Sequence, residues 1–239
     1  MHAPNGLRAV LFDLDNTLRY TRPSGEESFG RFLAELGYPL TPAAQRQGER
    51  WTHAYWAESA EQGADRERFP EGGPEFWRNY LCRHLIGCGF ENPPDELVEA
   101  LHRRMSEEHK PVDHVPPEVP GLLAALRAAG YVVGLVSNRA TPLGPIAEAL
   151  GLAGSFDFML SAGEVGSWKP DPGIFRHAAQ RAGVEVHQAV YVGDNYFADV
   201  LGAQAAGMPV ILLDPRGLFP EATCTVVQHL SEVPDALSA

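Results

Sequence analysis

Residues 7–17 read LRAVLFDLDNT, an apolar run that ends abruptly in acidic and polar residues. The apolar part, residues 7–12, is brief and sharply bounded, which predicts a buried β-strand rather than a helix. Asp13 and Asp15 follow this strand directly. In an open parallel sheet, ligands bind in the crevice beyond the carboxyl ends of the strands, so we expect the chemistry of this protein to begin at Asp13.

From about residue 23 to residue 113, the sequence has the spacing of amphipathic helices. Apolar and aromatic side chains form four stripes, which prolines and glycines separate. The stripes are Phe29, Phe32, Leu33 and Leu36; Trp51 and Tyr55; Phe76, Trp77, Tyr80, Leu81 and Leu85; and Leu97, Leu101 and Met105. We therefore predict four helices packed as a small bundle, with aromatic stripes more typical of a core than of a ligand pocket.

After a proline-rich link over residues 111–120, helical and strand patterns alternate, which is typical of a parallel sheet covered by helices. Strands are expected over residues 132–136, 156–160, 189–192 and 209–213, and helices over residues 122–129, 143–150, 173–182 and 198–206. The pattern predicts an α/β fold with a parallel sheet.

The strand at residues 7–12 belongs with this later sheet, so the helical segment between them is best interpreted as an insertion. The predicted fold is a doubly wound, Rossmann-like parallel sheet core with an inserted all-helical cap. Residues 1–20 and 114–239 would form the α/β catalytic core, and residues 21–113 would form the cap.

Composition narrows the class of protein. With 44% hydrophobic and 21% charged residues, the 239-residue chain is typical of a folded, soluble protein. Its net charge of −12 argues against binding to a nucleic acid polymer or to an anionic membrane. Neither a secretion signal nor a run of about 18 apolar residues is present, which predicts a cytoplasmic protein. Cys82, Cys88 and Cys224 are odd in number and lack paired spacing, so we expect free thiols.

Polar residues follow three of the predicted strands. Beyond Asp13, Asp15 and Thr17, they are Ser137 and Asn138 after the second strand, and Gly193, Asp194 and Asn195 after the fourth, with Asp199 a turn further along. Lys169 precedes a predicted helix that opens with Asp171 and Pro172, where proline suits the first helical position. Singly, such residues are often turn residues or helix caps, but this ordered set points to a site.

The ordered set resembles the motifs of the haloacid dehalogenase superfamily. Its pattern is DxDxT after the first strand, Ser or Thr after the second, a later Lys, and an acidic pair after the fourth. The resemblance covers residues 6–20 and 114–230 and implies a phosphatase-like member with a helical cap inserted after the first motif. The cofactor that it implies is Mg²⁺, which prefers hard oxygen ligands. By resemblance, these ligands are Asp13, Asp194 and the backbone carbonyl of Asp15.

The resemblance also implies a division of labour. Asp13 is the nucleophile. A carboxylate can attack an anionic phosphoryl group only if a cation and positioned hydrogen-bond donors neutralise the phosphoryl oxygens. Asp15 is the general acid and base. Ser137 and Lys169 are catalytic and contact the phosphoryl group, and Asn138 is a further candidate for binding substrate. Apart from the resemblance, Arg19 and Arg22 follow the nucleophile loop, where either one could bind an anionic substrate or be a solvated surface residue. Asp199 and Asn195 are expected to act indirectly, by holding in place the groups that contact substrate.

The expected function is Mg²⁺-dependent hydrolysis of a small phosphorylated metabolite, such as a sugar phosphate, phosphoglycolate or a nucleoside monophosphate. One alternative is a phosphomutase with the same covalent chemistry. Another is a non-catalytic phospho-acceptor or binding module, similar to response-regulator receivers, although these lack both the DxD pair and a helical insertion. Dehalogenases resemble the phosphatases without the second aspartate, so Asp15 argues against that chemistry.

Overall fold

The computed structural model describes residues 6–238, which divide into two compact units. The first contains the described residues up to Tyr20 and those from Asp113 onwards, and the second is Thr21–Val112. The assignment of the first unit as a catalytic core and of the second as a cap stays a prediction.

Eight strands lie within the described residues. They are β1 (Ala9–Phe12), β2 (Tyr20–Arg22), β3 (Val112–His114), β4 (Val132–Ser137), β5 (Phe158–Ser161), β6 (Ala189–Gly193), β7 (Val210–Leu213) and β8 (Thr225–Val227). Six of them form one sheet in the order β5-β4-β1-β6-β7-β8, and β2 and β3 form a separate two-stranded sheet. Every pairing in the large sheet is parallel.

The α-helices are α1 (Gly25–Glu35), α2 (Pro42–Tyr55), α3 (Ala60–Arg68), α4 (Pro74–Gly87), α5 (Asp95–Glu108), α6 (Val119–Ala128), α7 (Gly144–Ala149), α8 (Ala162–Val165), α9 (Pro172–Ala182), α10 (Leu201–Ala206) and α11 (Val233–Ala236). Among residues 6–238, no helix combines the length and the apolar content needed to cross a membrane.

Strand β1 lies in the middle of the sheet, between β4 and β6. Its side chains alternate between two cores: Val10 and Phe12 pack with residues of α6 and α11, and Ala9 and Leu11 pack with residues of α9 and α10. Both faces are covered, which explains why β1 is an unbroken apolar run. The predicted doubly wound parallel α/β fold is confirmed.

The second unit contains five helices within the described residues, where four were predicted. The additional helix is α3, whose buried residues are the polar Gln62 and Asp65. Asp65 accepts a 3.0 Å hydrogen bond from the Tyr55 hydroxyl and lies 2.8 Å from Arg83 Nε. Polar contacts therefore hold α3, and no apolar stripe marks it in the sequence. The bundle core contains Tyr55 and Tyr80, as predicted for the aromatic stripes, whereas Trp77 is half exposed.

Other elements of the first unit also differ from the prediction, among them the short helices α8 and α11, which were not predicted. The helix expected over residues 198–206 consists of a π-helical turn, Tyr196–Val200, followed by α10. Strand β8 was not predicted because three residues carry too little pattern to distinguish a strand from a loop. Pro172 does occupy the first turn of α9, and the Asp171 side chain accepts a hydrogen bond from the backbone N–H of Gly173.

Candidate active site

Three neighbouring strands bring distant residues to one edge of the sheet. Asp13 follows β1, Ser137 ends β4, and Asp194 follows β6. Because these strands are adjacent and parallel, their carboxyl ends meet at the same crevice. The backbone N–H of Asp13 extends the pairing by donating to the carbonyl of Val192 at 2.9 Å, and only 5% of Asp13 is exposed.

Lys169 lies at the centre of this crevice. Its Nζ donates to Asp13 Oδ1 at 2.6 Å, to Asp199 Oδ1 at 2.7 Å and to the Tyr191 hydroxyl at 3.0 Å. An ammonium group has three N–H donors, so each one has an acceptor. Burial by itself would lower the pKa of Lys169, but attraction to Asp13 and Asp199 raises that pKa well above its usual range. The lysine is therefore a fixed positive charge beside Asp13.

Three carboxylates crowd around this lysine. Asp13, Asp194 and Asp199 each offer an oxygen within 4.8 Å of the others. Burial raises the pKa of Asp13 to about 7, with repulsion from Asp199 and Asp15 adding to the effect and attraction to Lys169 opposing it. Burial, followed by repulsion from Asp13, also raises the pKa of Asp194 well above its usual range. One ammonium does not neutralise this cluster, and its all-oxygen donor set fits a hard divalent cation.

The three carboxylates differ in how many of their oxygens already accept hydrogen bonds. Asp199 Oδ1 accepts from Lys169, and Asp199 Oδ2 accepts from the backbone N–H of Asn195 at 2.9 Å. Asp194 is held by a hydrogen bond from the Thr17 hydroxyl at 3.1 Å. Asp13 and Asp194 are therefore the better placed side chains for holding a cation, and Asp199 is an anchor for the lysine.

Gly193 and Asn195 determine the position of the Asp199 side chain. A Cβ on Gly193 would collide with the Asp199 carboxylate, so the bare backbone lets that side chain lie alongside the strand. The Asn195 side chain accepts hydrogen bonds from the backbone N–H groups of Phe197 and Ala198, each at 3.0 Å. It thereby caps the π-helical turn that carries Asp199.

The two polar residues at the end of β4 differ in their contacts. Both polar ends of the Asn138 side chain bind the backbone of Lys169, with Nδ2 donating to its carbonyl at 2.8 Å and Oδ1 accepting from its N–H at 2.6 Å. This side chain fixes the segment that carries the lysine. Ser137 is buried, and within residues 6–238 its hydroxyl makes no hydrogen bond to another side chain. That hydroxyl is available to an incoming oxygen.

Asp15 lies between two arginines. Arg139 donates from Nε to Oδ2 at 3.0 Å and from a terminal nitrogen to Oδ1 at 2.9 Å. Arg19 contacts Oδ1 at 3.0 Å and also contacts Asp113 at 3.0 Å. The sequence indicated Arg19 as a candidate, and the structure places it against Asp15.

Sequence reasoning missed Tyr191 and Arg139. Tyr191 is fully buried in β6, where its pattern is that of any apolar strand residue. Its hydroxyl accepts from Lys169 and donates to the carbonyl of Val136 at 2.8 Å. Arg139 directly follows Asn138 at the end of β4, and this position at the carboxyl edge was the one signal that could have identified it.

The parallel sheet and the acidic, lysine-containing crevice at its carboxyl edge define an α/β fold with a candidate active site built from carboxylates. The family model for haloacid dehalogenase-like hydrolases matches residues 7–207, and the chain belongs to this family of hydrolases. The resemblance inferred from the motifs is thus confirmed.

Individual relatives agree with this assignment. The chain is 31% identical over 236 residues to "Phosphoglycolate phosphatase, plasmid" of Cupriavidus necator, covering 96% of this chain and 93% of the relative. It is 32% identical over 238 residues to phosphoserine phosphatase of Thermus thermophilus, covering 90% of this chain and 91% of the relative. Among solved structures, it is similar to a 2-haloacid dehalogenase from Pseudomonas syringae pv. tomato, with 28% identity and a TM-score of 0.56, over 97% of this chain and 98% of that one.

Proposed function

We propose that this protein is a Mg²⁺-dependent phosphohydrolase that removes phosphate from a small metabolite through an aspartyl phosphate on Asp13. The observation that carries the proposal is the position of Asp13, bound at 2.6 Å to a buried lysine and adjoining a cluster of carboxylates. The relatives named phosphoglycolate phosphatase and phosphoserine phosphatase support the same class of reaction.

In the first step, a carboxylate oxygen of Asp13 attacks phosphorus, and the bond from phosphorus to the ester oxygen breaks. Asp15 gives a proton to that oxygen, so an alcohol leaves and the phosphoryl group stays on Asp13. Lys169 and the Ser137 hydroxyl stabilise the negative charge on the phosphoryl oxygens. Asn138 acts on this step indirectly, because it fixes the backbone of Lys169.

In the second step, Asp15 removes a proton from water as the water oxygen attacks phosphorus. The bond between Asp13 and phosphorus breaks, and inorganic phosphate and the free Asp13 carboxylate are the products. Tyr191 and Asp199 keep the Lys169 ammonium in place throughout.

Asp13, Asp194 and the backbone carbonyl of Asp15 would hold the Mg²⁺ ion, which supplies positive charge to the phosphoryl oxygens. The raised pKa values of Asp13 and Asp194, which follow from burial and mutual repulsion, support a cation at this position. The helical unit is proposed as the inserted cap. Cys82, Cys88 and Cys224 are free thiols, and on that ground we propose a cytoplasmic location.

The test is hydrolysis of 4-nitrophenyl phosphate by the purified chain with and without Mg²⁺. Asp13→Asn is expected to abolish phosphate release, and Asp15→Asn to reduce it severely. Asp235→Asn, which changes an exposed carboxylate in α11, is the matched control and should retain the wild-type rate. Release of phosphate that survives in Asp13→Asn would overturn the proposal.

The alternatives predict different products. A phosphomutase would return an isomeric phosphate ester instead of inorganic phosphate. A dehalogenase would release halide from a 2-haloacid, and a non-catalytic phospho-acceptor would incorporate phosphate once without turnover.

A further inference from the structure

Both carboxylate oxygens of Asp15 contact arginine side chains. Arg139 contacts both carboxylate oxygens, at 3.0 Å and 2.9 Å, and Arg19 adds a third contact to Oδ1 at 3.0 Å. A bidentate pair between guanidinium and carboxylate is among the stronger and more directional ion pairs in proteins. In this arrangement, guanidinium donors contact both oxygens of Asp15, while 36% of its side chain remains exposed.

This engagement is at odds with the chemistry proposed for Asp15. A general acid and base needs one oxygen within about 3 Å of the atom with which it exchanges a proton. The two hydrogen bonds from Arg139 compete with a proton for the oxygens of Asp15, so release of at least one oxygen would favour proton transfer to the ester oxygen. A second anionic group in the crevice could drive this release by taking the place of the Asp15 carboxylate on the guanidinium.

Arg139 is better suited to such an exchange than Arg19. Arg19 also contacts Asp113, and 18% of its side chain is exposed. The Arg139 side chain is 32% exposed, and within residues 6–238 its guanidinium has no hydrogen-bond partner other than Asp15.

The chemistry of the exchange identifies the group. The flat guanidinium fork matches a carboxylate with two parallel hydrogen bonds, and its present partner is a carboxylate. A carboxylate on the substrate would conserve both the charge and the number of donors used. A second phosphate would bring a charge of about −1.5 to −2 into a crevice that already holds an excess of carboxylates.

We propose that Arg139 determines specificity by exchanging the carboxylate of Asp15 for a carboxylate on the alcohol portion of the substrate. The preferred substrates are then phosphate monoesters of short hydroxy acids. Asp15 lies within about one hydrogen-bond length of Arg139, so the ester oxygen that Asp15 protonates and the carboxylate that Arg139 binds must be close together in the substrate. This assignment rests on the proposed phosphohydrolase function. It gives binding of the correct substrate the additional effect of freeing Asp15.

The experiment compares 2-phosphoglycolate with ethyl phosphate, which lacks the carboxylate. The readout is the ratio of the two kcat/KM values, in the wild type, Arg139→Ala, Arg139→Gln and Arg139→Lys. We expect the wild type to favour 2-phosphoglycolate and Arg139→Ala to lower the ratio by about 100-fold, as for loss of a charged hydrogen-bonding partner. Ethyl phosphate turnover should rise in this variant, because Asp15 is released. The ratio in Arg139→Lys should lie between those of the wild type and Arg139→Ala, since an ammonium group cannot form the two parallel hydrogen bonds of a guanidinium group.

Arg127→Ala is the matched control. Arg127 contacts Asp157 through Nε and a terminal nitrogen, at 3.1 Å and 2.9 Å, but lies outside the crevice, so its ratio should equal that of the wild type. A second readout needs no turnover: calorimetric binding of 2-phosphoglycolate to the inert Asp13→Asn protein should weaken about 100-fold when Arg139→Gln is added.

The outcomes separate the two proposals. If the wild type hydrolyses 4-nitrophenyl phosphate but the ratio in Arg139→Ala and Arg139→Gln stays within about threefold of the wild type, the assignment of Arg139 is wrong and the phosphohydrolase stands. Unchanged binding in the Asp13→Asn background leads to the same conclusion. If no phosphate ester is hydrolysed, the proposed function fails, and the substrate class fails with it.

Discussion

Lys169 donates a 3.0 Å hydrogen bond to the Tyr191 hydroxyl, which in turn donates to the carbonyl of Val136 at 2.8 Å. The tyrosine thus connects the lysine beside Asp13, the proposed nucleophile, to strand β4. It supplies the third acceptor of an ammonium whose other two partners are Asp13 and Asp199.

Removing this hydroxyl should weaken catalysis without removing a reacting group. Tyr191→Phe leaves one N–H of Lys169 and the Val136 carbonyl without their partner, and an unmet buried polar group costs about 1–3 kcal/mol. We expect kcat on 4-nitrophenyl phosphate to fall about tenfold, the change that corresponds to about 1.4 kcal/mol. Tyr131→Phe, in a partly buried tyrosine outside the crevice, is the control. An unchanged kcat in Tyr191→Phe would show that two acceptors suffice.

Gly193→Ala should damage the site through a steric effect. The new Cβ would collide with the Asp199 carboxylate, which must shift and loosen its contact with Lys169. We expect a loss of activity of at least about tenfold, as for other supporting groups around a metal site. Gly121→Ala, in helix α6, meets no atom within 4 Å and should be neutral or stabilise by up to about 1 kcal/mol. Full activity in Gly193→Ala would mean that the position of Asp199 is not critical.

Removal of divalent ions should silence the enzyme, and the identity of the replacing ion should matter. Mg²⁺ is expected to restore phosphate release after chelation, whereas Ca²⁺ should restore it poorly because its looser and larger coordination misplaces the attacking group. Mg²⁺ should also raise the melting temperature, since a ligand that binds the folded state stabilises it. Asp194→Asn should reduce that rise. Equal rates with both ions would contradict the proposed geometry.

The helical unit should become less stable in acid because of His84. This residue is 2% exposed and stacks on Phe29 at 3.9 Å between ring centroids. Burial lowers its pKa from 6.5 to about 3, although Glu26 lies 3.4 Å from its Nε2. Below pH 6.5, the unfolded chain gains a proton that the folded unit does not accept. The contribution of His84 to the free energy of unfolding is therefore fully present above pH 6.5. It decreases by about 1.4 kcal/mol for each pH unit between pH 6.5 and pH 3.

Urea unfolding of the wild type and of His84→Gln between pH 7.5 and about pH 4.5 measures this contribution. The difference between their free energies of unfolding should narrow as the pH falls, because the variant lacks the titrating ring. His187→Gln, in an exposed histidine, should follow the wild type. A pH-independent difference between His84→Gln and the wild type would exclude the histidine as the cause.

Three of the residues found from the sequence stand where an apolar strand ends. Asp13, Ser137 and Asp194 interrupt the hydrophobic pattern, and the topology of a parallel sheet then brings them together. Lys169 does not follow a strand, and only its place in the ordered motif identified it. The structure brings all four into one crevice. Their individual roles stay predictions until the variants are measured.

What the sequence did not reveal also has physical causes. Tyr191 has the pattern of a core residue, and its hydrogen bonds depend on strands that are distant in sequence. Arg139 resembles a solvated loop residue until its partner, 124 positions away, is known. Helix α3 buries the polar residues Gln62 and Asp65, of which Asp65 pairs with Tyr55 and Arg83, so the helix has no hydrophobic periodicity.

The central position of β1 also has a consequence for biosynthesis. Its neighbours are β4 and β6, which both follow it in the chain, so β1 cannot be flanked on both sides until Gly193 has been translated. Long-range pairing of this kind slows folding and leaves apolar segments exposed in the meantime. The apolar segment at residues 7–12 therefore lacks one of its two neighbouring strands until late in synthesis, which prolongs its exposure.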